Sequence, residues 1–227
     1  MQRREVLKAG LGASLSSTFP AADLWAQSRA DVGSCVLTVD GDDGPFYFDS
    51  RLVRADITEG QRGLPLELTM RIVTAGDCHP IANARADLWQ ADALGVYSGY
   101  DNQTGVGLSP PVSTKGRTYL RGTQFTDGEG DVTFQTIYPS WYSGRTPHLH
   151  FKVYLDDRDV VTNQIIFPEE TNDLVFAQAP YNEHGKARDT FNADDSYLKR
   201  DDSGVLCLIE PRDGGYLATI LVAVRRV

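Results

Sequence analysis

The sequence lacks the features of several common protein classes. It has no excess of basic residues, because 22 Lys and Arg stand against 31 Asp and Glu, a formal net charge of -9. Nucleic-acid affinity depends on basic side chains that neutralise phosphates, so no nucleic-acid partner is expected. No helical periodicity of useful length, internal repeat or Ser/Pro-rich linker appears. With 227 residues, 41% of them hydrophobic, the chain has a globular composition, and small-molecule chemistry is the default expectation.

The N-terminal segment contains no apolar run long enough to cross a membrane. The basic pair Arg3-Arg4 precedes an uncharged run over residues 9–22, which is short of the roughly 20 apolar residues that a membrane-spanning helix needs. The pattern resembles a twin-arginine export signal, and a cytoplasmic N-terminal tail is the alternative. We therefore predict an export signal over residues 1–26, a single domain over residues 27–227, a periplasmic or extracellular location and no permanent membrane anchor.

Cysteine is scarce, and the number of cysteines is odd. Cys35, Cys78 and Cys207 all follow the predicted signal. In an exported protein they allow one disulfide and one free thiol, with three possible pairings that the sequence does not rank. Three buried free cysteines are the alternative.

The remaining sequence alternates between apolar and polar residues with the period of β-strands. Residues 66–72 alternate strictly, which is typical of a half-buried strand. Gly- and Asp-rich turns separate the candidate strands, which are 35–39, 66–72, 84–89, 132–137, 148–154, 163–167, 205–210 and 216–224. The pattern predicts an all-β fold, an antiparallel β-sandwich. Two irregular stretches, 98–118 and 169–203, are predicted to be long active-site loops.

Two of the four histidines form the sequence His148-Leu149-His150. Residues two apart on a strand face the same side, so both imidazoles can bind one metal ion. A tyrosine, Tyr142, lies six residues before His148, and Arg145 lies three before it. This combination is more specific than an isolated pair of histidines.

These residues belong to a longer series of motifs. The series comprises G-P-F-Y at residues 44–47, D-L-W-Q-A-D-A-L-G-V-Y at 87–97, T-I-Y-P-S-W-Y at 136–142, R-T-P-H-L-H-F at 145–151, and then Gln164. The series resembles that of the intradiol ring-cleavage dioxygenases, the family of protocatechuate 3,4-dioxygenase and catechol 1,2-dioxygenase. The resemblance covers roughly 120 residues, in the order in which the family has them.

The resemblance implies one mononuclear non-haem Fe(III) ion, with the ligands Tyr97, Tyr142, His148 and His150. Phenolates are hard anionic donors, which suit Fe(III). The implied reaction uses O₂ to open a catechol-type ring between its two hydroxylated carbons, giving a cis,cis-muconate-type diacid. Tyr142 would be the ligand that leaves with a substrate proton.

The resemblance also implies the roles of residues around the metal. Arg145 would stabilise negative charge on the substrate, as a preorganised and partly dehydrated cation can. Gln164 would hydrogen-bond next to it. Pro45 and Tyr47 would form the pocket wall beside the ring, with Trp141 nearby.

A different class of function fits part of the same pattern. The stretch that ends at Tyr142 also resembles transthyretin-like sandwich modules, in which the tyrosine only packs. The alternative is therefore a non-catalytic module that binds carbohydrate or protein through its aromatic residues. Metal content separates the two hypotheses, because the module needs neither His148 nor His150.

Overall fold

A computed structural model describes residues 35–183, 185–200 and 204–226. The predicted export signal lies outside these residues. Within them, no helix has the length and apolar character needed to cross a membrane.

The described residues are built almost entirely of strands, in agreement with the predicted fold class. One short helix, α1 (Glu169–Phe176), interrupts them. The strands are β1 (Pro65–Thr74), β2 (Arg85–Gln90), β3 (Arg121–Phe125), β4 (Asp131–Ile137), β5 (His148–Leu155), β6 (Arg158–Ile166), β7 (Val205–Leu206), β8 (Leu208–Arg212) and β9 (Gly215–Val224).

The strands form two sheets that pack as a sandwich. One sheet has the order β4-β1-β9-β8 and the other the order β3-β2-β5-β6-β7. The pairs β1·β9 and β6·β7 are parallel, and the remaining pairs are antiparallel. The predicted sandwich is thus confirmed, with two parallel pairs in otherwise antiparallel sheets. Alternation in sequence predicts which face a side chain occupies, but it carries no information on strand direction.

The core lies between the two sheets and follows the period of two. In β1, Leu66, Leu68, Met70 and Ile72 are fully buried, as their alternation predicts. From the other sheet, Leu149, Phe151 and Val153 of β5 belong to the same apolar cluster. Since β5 alternates, its even-numbered residues must lie on the outer face of the five-stranded sheet.

Several details differ from the prediction. Strand β6 begins five residues before the predicted start at 163. Residues 205–210 are not one strand, because the chain leaves β6 at buried Cys207 and pairs next with β9 in the other sheet. Strand β3 was not predicted, since its sequence RGTQF has no apolar alternation. Helix α1 lies in a stretch predicted to be loop, and its eight residues are too few for a clear helical pattern.

The stretch 35–39, predicted as a strand, is not a strand but part of an extended segment, which we call the strap (residues 35–44). Thr38 N donates to the carbonyl of Ala223 at 2.8 Å, and Gly41 N donates to that of Thr162 at 2.6 Å. Isolated bonds to two different sheets do not make a ladder. A disulfide joins Cys35 to Cys78 and fixes the beginning of the strap, which leaves Cys207 as a buried free thiol.

Candidate active site

Strand β5 places His148 and His150 on the outer face of the five-stranded sheet. The intervening Leu149 is in the core, so the strand period turns both imidazoles to the same side. This face is not open to solvent, because loops cover it and leave the two histidines only 1% and 2% exposed.

Tyr97 approaches the histidines from the loop that follows β2. The Asp92 carboxylate accepts hydrogen bonds from the backbone N–H groups of Leu94 and Val96, which shapes the turn before Tyr97. Gln103 holds Tyr97 from both sides, since its Oε1 accepts from Tyr97 N at 2.8 Å and its Nε2 donates to Tyr97 O at 2.7 Å. The backbone carrying this phenol is therefore fixed by side chains of its own loop.

Tyr142 and Arg145 share a tight turn immediately before β5. Arg145 N donates to Tyr142 O at 2.9 Å, and Gly144 has a φ of 81°, the left-handed region that favours glycine. The Asp189 carboxylate accepts from Ser143 Oγ and from Gly144 N, which ties the turn to the loop after α1. The turn thus presents a phenol and a guanidinium side by side.

Four donor atoms from Tyr97, Tyr142, His148 and His150 converge on one point, and we call these residues the donor cluster. His148 Nε2 lies 3.2 Å from each tyrosine hydroxyl and 3.1 Å from His150 Nε2, which is 3.1 Å from Tyr97 OH. Metal–nitrogen bonds of about 2.0–2.1 Å place neighbouring donors roughly 3 Å apart. The spacing suits one ion bound by all four atoms.

The protonation of His148 supports this fit. Its Nδ1 lies 2.7 Å from the Thr146 carbonyl oxygen, which can only accept, so Nδ1 carries the hydrogen and Nε2 presents a lone pair to the cluster. Burial, with the charge of Arg145, lowers the pKa of His148 to about 3, and burial holds the pKa of His150 well below its ordinary value. Both rings are therefore neutral, the form that binds metals.

The two phenols are also shifted towards their neutral form. Burial raises the pKa of Tyr97 well above its ordinary value and raises that of Tyr142 less far. A bound cation reverses this preference, because it stabilises the phenolate directly. Across the described residues, no group of three or more His, Cys, Asp or Glu side chains forms a metal site, so a site here has to use the tyrosines.

Arg145 is held beside the cluster by three partners. Its Nη1 donates to Tyr142 OH at 3.4 Å, and its Nη2 donates to Gln164 Oε1. Its Nε donates to both oxygens of Asp195, at 3.2 and 3.0 Å. Asp195 is fully buried and also accepts from the N–H groups of Thr146 and Tyr197. The structure thus brings Arg145 and Gln164 together with Tyr142.

A row of side chains crosses the outer face of the sheet through the cluster. Register pairs Arg121 with Trp89, Trp89 with His150, and His150 with Gln164. Residues paired in this way share a face, and we call these four the outer row. The Trp89 ring stacks on His150, with centroids 4.9 Å apart and planes at 11°. Trp89 therefore fixes the orientation of the imidazole.

The three predicted pocket-wall residues occupy different environments. Pro45 is exposed, in a turn that follows Gly44, and a Cβ on Gly44 would lie 3.4 Å from His150 Cε1. The Tyr47 ring packs on Trp89, while its hydroxyl is bonded to Asp87 at 2.9 Å and to Tyr154. Trp141 is buried, and its backbone carbonyl lies against Gly95.

Sequence reasoning missed several residues around the cluster. Phe46, within the G-P-F-Y motif, stacks on Tyr97 with centroids 4.4 Å apart. Trp89 lies in a quoted motif, but its contact with His150 depends on the pairing of β2 with β5. Asp195 lies 50 residues from Arg145, in a loop without a recognisable pattern. Only the tertiary structure shows these contacts.

A family model and the curated relatives of this chain point to the same protein family. The family model described as Dioxygenase, Dioxygenase_C, matches residues 43–190, a span that contains the whole donor cluster, Arg145 and Gln164. Catechol 1,2-dioxygenase of Candida albicans is 27% identical over 159 residues, which cover 59% of this chain and 49% of that protein. The chain spans about half the length of the curated relatives that it matches.

Solved structures give the same result over more of the chain. An intradiol ring-cleavage dioxygenase from Tetranychus urticae has a TM-score of 0.76 at 30% identity, covering 84% of this chain and 95% of that one. The dioxygenase domain of a dioxygenase carbohydrate-binding protein fusion from Streptomyces sp. SirexAA-E has a TM-score of 0.61 at 25% identity, covering 84% and 99% of the two chains.

Proposed function

Since the chain belongs to the intradiol ring-cleavage dioxygenase family, we propose that it is an Fe(III)-dependent enzyme that cleaves catechol-type rings with O₂. The bond broken joins the two hydroxylated carbons, and the product is a cis,cis-muconate-type diacid. The convergence of four donor atoms at 3.1–3.2 Å carries the proposal. Tyr97, Tyr142, His148 and His150 would hold the ion.

The chemistry of the donors fits a ferric ion. Two phenolates and two neutral imidazoles bring two negative charges, which suits a hard trivalent cation better than a divalent one. When bound, the ferric ion would supply a Lewis-acid site for the catechol oxygens and the redox chemistry that makes the ring reactive to O₂. A buried site of low net charge also requires little further compensation.

Arg145 and Tyr142 handle the charge and the protons of the substrate. A catechol that binds as a dianion has to lose two protons: the Tyr142 phenolate would accept one and become the neutral phenol, and a hydroxide ion from solvent would accept the other. Arg145, 3.4 Å from the Tyr142 hydroxyl, stabilises the negative charge that remains on the ring. Asp195 and Gln164 hold its guanidinium fork, so the cation is in place before the substrate arrives.

The residues that follow the strap would contribute apolar surface to the substrate pocket rather than polar contacts. The hydroxyl of Tyr47 is already occupied by Asp87 and Tyr154, so Tyr47 offers the substrate its ring. Phe46 and Tyr97 form a stacked aromatic pair, and Pro45 lies next to Phe46 in the turn. A planar aromatic substrate fits such walls.

The visible spectrum of the aerobically purified protein tests the proposal. We expect one iron per chain and a broad phenolate-to-Fe(III) absorption that moves to longer wavelength when catechol is added without oxygen. His150→Ala should lose iron, colour and oxygen uptake. His79→Ala is the matched control, because the His79 side chain is exposed and pairs with the exposed Asp77, and it should keep all three.

Two results would contradict the proposal. Iron content at the wild-type level in His150→Ala would remove this histidine from the ligand set. A wild-type protein that stays colourless after reconstitution with Fe(III) would favour the transthyretin-like binding module instead. Chromatographic identification of the ring-opened diacid completes the test.

The same proposal includes export through the twin-arginine route. The Cys35–Cys78 disulfide supports it, because disulfides persist in oxidising compartments outside the cytosol. Replacing both arginines of the signal with lysine, Arg3→Lys with Arg4→Lys, should keep the protein in the cytoplasm, as measured by cell fractionation. Wild-type protein found only in the cytoplasm would contradict export.

A further inference from the structure

Arg121 is a buried arginine that forms no ion pair within the described part of the chain. It is 1% exposed, and its hydrogen bonds go to neutral oxygens: Nε to Ser98 Oγ at 2.8 Å, Nη1 to Phe46 O at 2.7 Å and Nη2 to Ser98 O at 2.8 Å. Its guanidinium also lies 4.2 Å from the centre of the Phe48 ring. Buried charges are normally paired, because the loss of hydration is costly.

The position of Arg121 connects this charge to the donor cluster. Arg121 ends the outer row, one residue pair from Trp89 and two from His150. Through Phe46, whose carbonyl it binds, it is also linked to Tyr97, because the Phe46 ring stacks on the tyrosine. Burial lowers the pKa of Arg121 to about 10, so the group remains charged at neutral pH.

The other arginine of the site has a different electrostatic effect. Arg145 forms an ion pair with buried Asp195, so a carboxylate at the same place offsets part of its positive charge. Arg121 has no such partner among the described residues, and its field therefore reaches the cluster through a poorly polarisable interior.

We propose that Arg121 serves the reaction as a positive charge without a carboxylate partner, which favours the anionic groups of the site, the Tyr97 phenolate together with a bound catecholate. The inference rests on the proposed function. It assigns Arg121 a positioning role that acts through Tyr97 and the substrate, without direct contact with the reacting atoms. The positive charge stabilises the iron-loaded, substrate-bound site, although burying it lowers the stability of the metal-free protein.

A purely structural role is the competing explanation, since Arg121 joins the backbone at Phe46 and Ser98. Two substitutions separate these roles. Arg121→Lys keeps the charge but loses the planar fork, whereas Arg121→Gln loses the charge and keeps some hydrogen bonding. Arg54→Gln is the matched control, because Arg54 also donates to backbone carbonyls, those of Thr118 and Arg121, but is paired with Glu59.

The experiment measures two properties of each iron-loaded variant in the absence of oxygen. The first is the Kd for 4-nitrocatechol, a catechol whose own absorption reports its ionisation. The second is the rate at which a chelator removes Fe(III). We expect Arg121→Gln to weaken 4-nitrocatechol binding about tenfold and to release iron faster, with Arg121→Lys close to wild type and Arg54→Gln unchanged.

A second pair of variants leaves Arg121 in place. Phe48 is only partly buried, so Phe48→Glu can give the guanidinium a carboxylate partner, with Phe48→Gln as the neutral control of the same shape. Phe48→Glu should weaken 4-nitrocatechol relative to Phe48→Gln. This comparison decides the matter if Arg121→Gln does not fold.

The outcomes are distinct. Equal effects of Lys and Gln at position 121, or of Glu and Gln at position 48, would overturn the charge role while leaving the proposed function intact. A wild-type protein that retains no iron would overturn the proposed function and this inference with it.

Discussion

An arginine lies at each end of the outer row: Arg121 is its last member at the β3 end, and Arg145 bonds Gln164, its last member at the other end. The two arginines are held by different kinds of partner. At the Gln164 end, Arg145 is bound by the carboxylate of Asp195 and is partly exposed, with 18% of its side chain accessible. At the β3 end, Arg121 is almost completely buried and bound by carbonyl and hydroxyl oxygens. Of the two, only Arg145 has a hydrogen bond to a donor-cluster residue, to Tyr142.

The kind of partner decides how much of the charge of each arginine is offset, although both guanidinium groups are held in a fixed position. A carboxylate fixes a guanidinium firmly but offsets part of its charge, whereas neutral acceptors fix a guanidinium without adding a negative charge beside it. Arg145 is therefore suited to a contact at one point, near Tyr142. Arg121 is suited to favour negative charge throughout the site.

The largest effect on stability is expected when Asp195, the carboxylate that pairs with Arg145, is removed. Asp195→Ala leaves Arg145 without its carboxylate partner and two backbone N–H groups, of Thr146 and Tyr197, without this acceptor. We expect a loss of about 3 kcal/mol in the free energy of unfolding, measured by urea denaturation. Turnover should also fall, because Arg145 is no longer held.

Asp194→Ala is the control for this change. Asp194 is exposed and lies 3.9 Å from Lys199, itself exposed, so its removal should leave stability and turnover nearly unchanged. Equal losses in the two variants would show that the Arg145 end does not depend on its carboxylate.

A smaller effect is expected from two serines, one at each end of the row. Ser98→Ala removes the buried acceptor of Arg121 Nε and the hydroxyl that donates to Tyr119 O, and we expect a loss of about 2 kcal/mol. Ser143→Ala removes an exposed hydrogen bond to Asp189 and should cost less than about 0.5 kcal/mol. Thermal or urea unfolding of both proteins measures the difference, and equal losses would mean that the Arg121 end is not the more tightly packed one.

The smallest effect on stability is expected for substitution of Gly44, the last residue of the strap. Gly44 has a φ of 68° and lies against His150, whereas Gly60 has a φ of 75° with nothing within 4 Å of its absent Cβ. Alanine at either position should cost about 1 kcal/mol in stability, from backbone strain alone. Only Gly44→Ala should also change the KM for catechol, so a matching change in Gly60→Ala would contradict a specific role for the contact with His150.

The parts of the fold that sequence predicts are strands whose alternate residues are apolar and pack in the core. β1, β2, β4 and β9 were predicted within two residues at each end, because one side of each packs in the core. Strand β3 was missed, since its Arg121 and Thr123 are polar and are buried by loops that lie far away in the sequence. Where burial depends on tertiary cover, local alternation gives no signal.

The candidate site divides in the same way. Local spacing brings Tyr142, Arg145, His148 and His150 together, since a turn and a strand suffice to do so. Asp195 and Arg121 come from other parts of the chain, and their roles depend on the strand register and on a loop whose path is not encoded in any short motif. The motif residues were thus predictable, while the electrostatic differences between the two arginines were not.

The strap also determines the order in which the protein can be assembled. Its start is tied to Cys78, but Thr38 bonds Ala223 in the last strand, a separation of 185 residues. Contacts of such long range form slowly, after local structure. A ribosome makes the four donor residues long before it makes β9, so the Thr38 end of the strap can dock only after nearly the whole chain has been synthesised, whereas its Gly41 end bonds Thr162 of β6. A chain that stops before β9 would contain every predicted ligand and still lack the anchor for the Thr38 end of the strap.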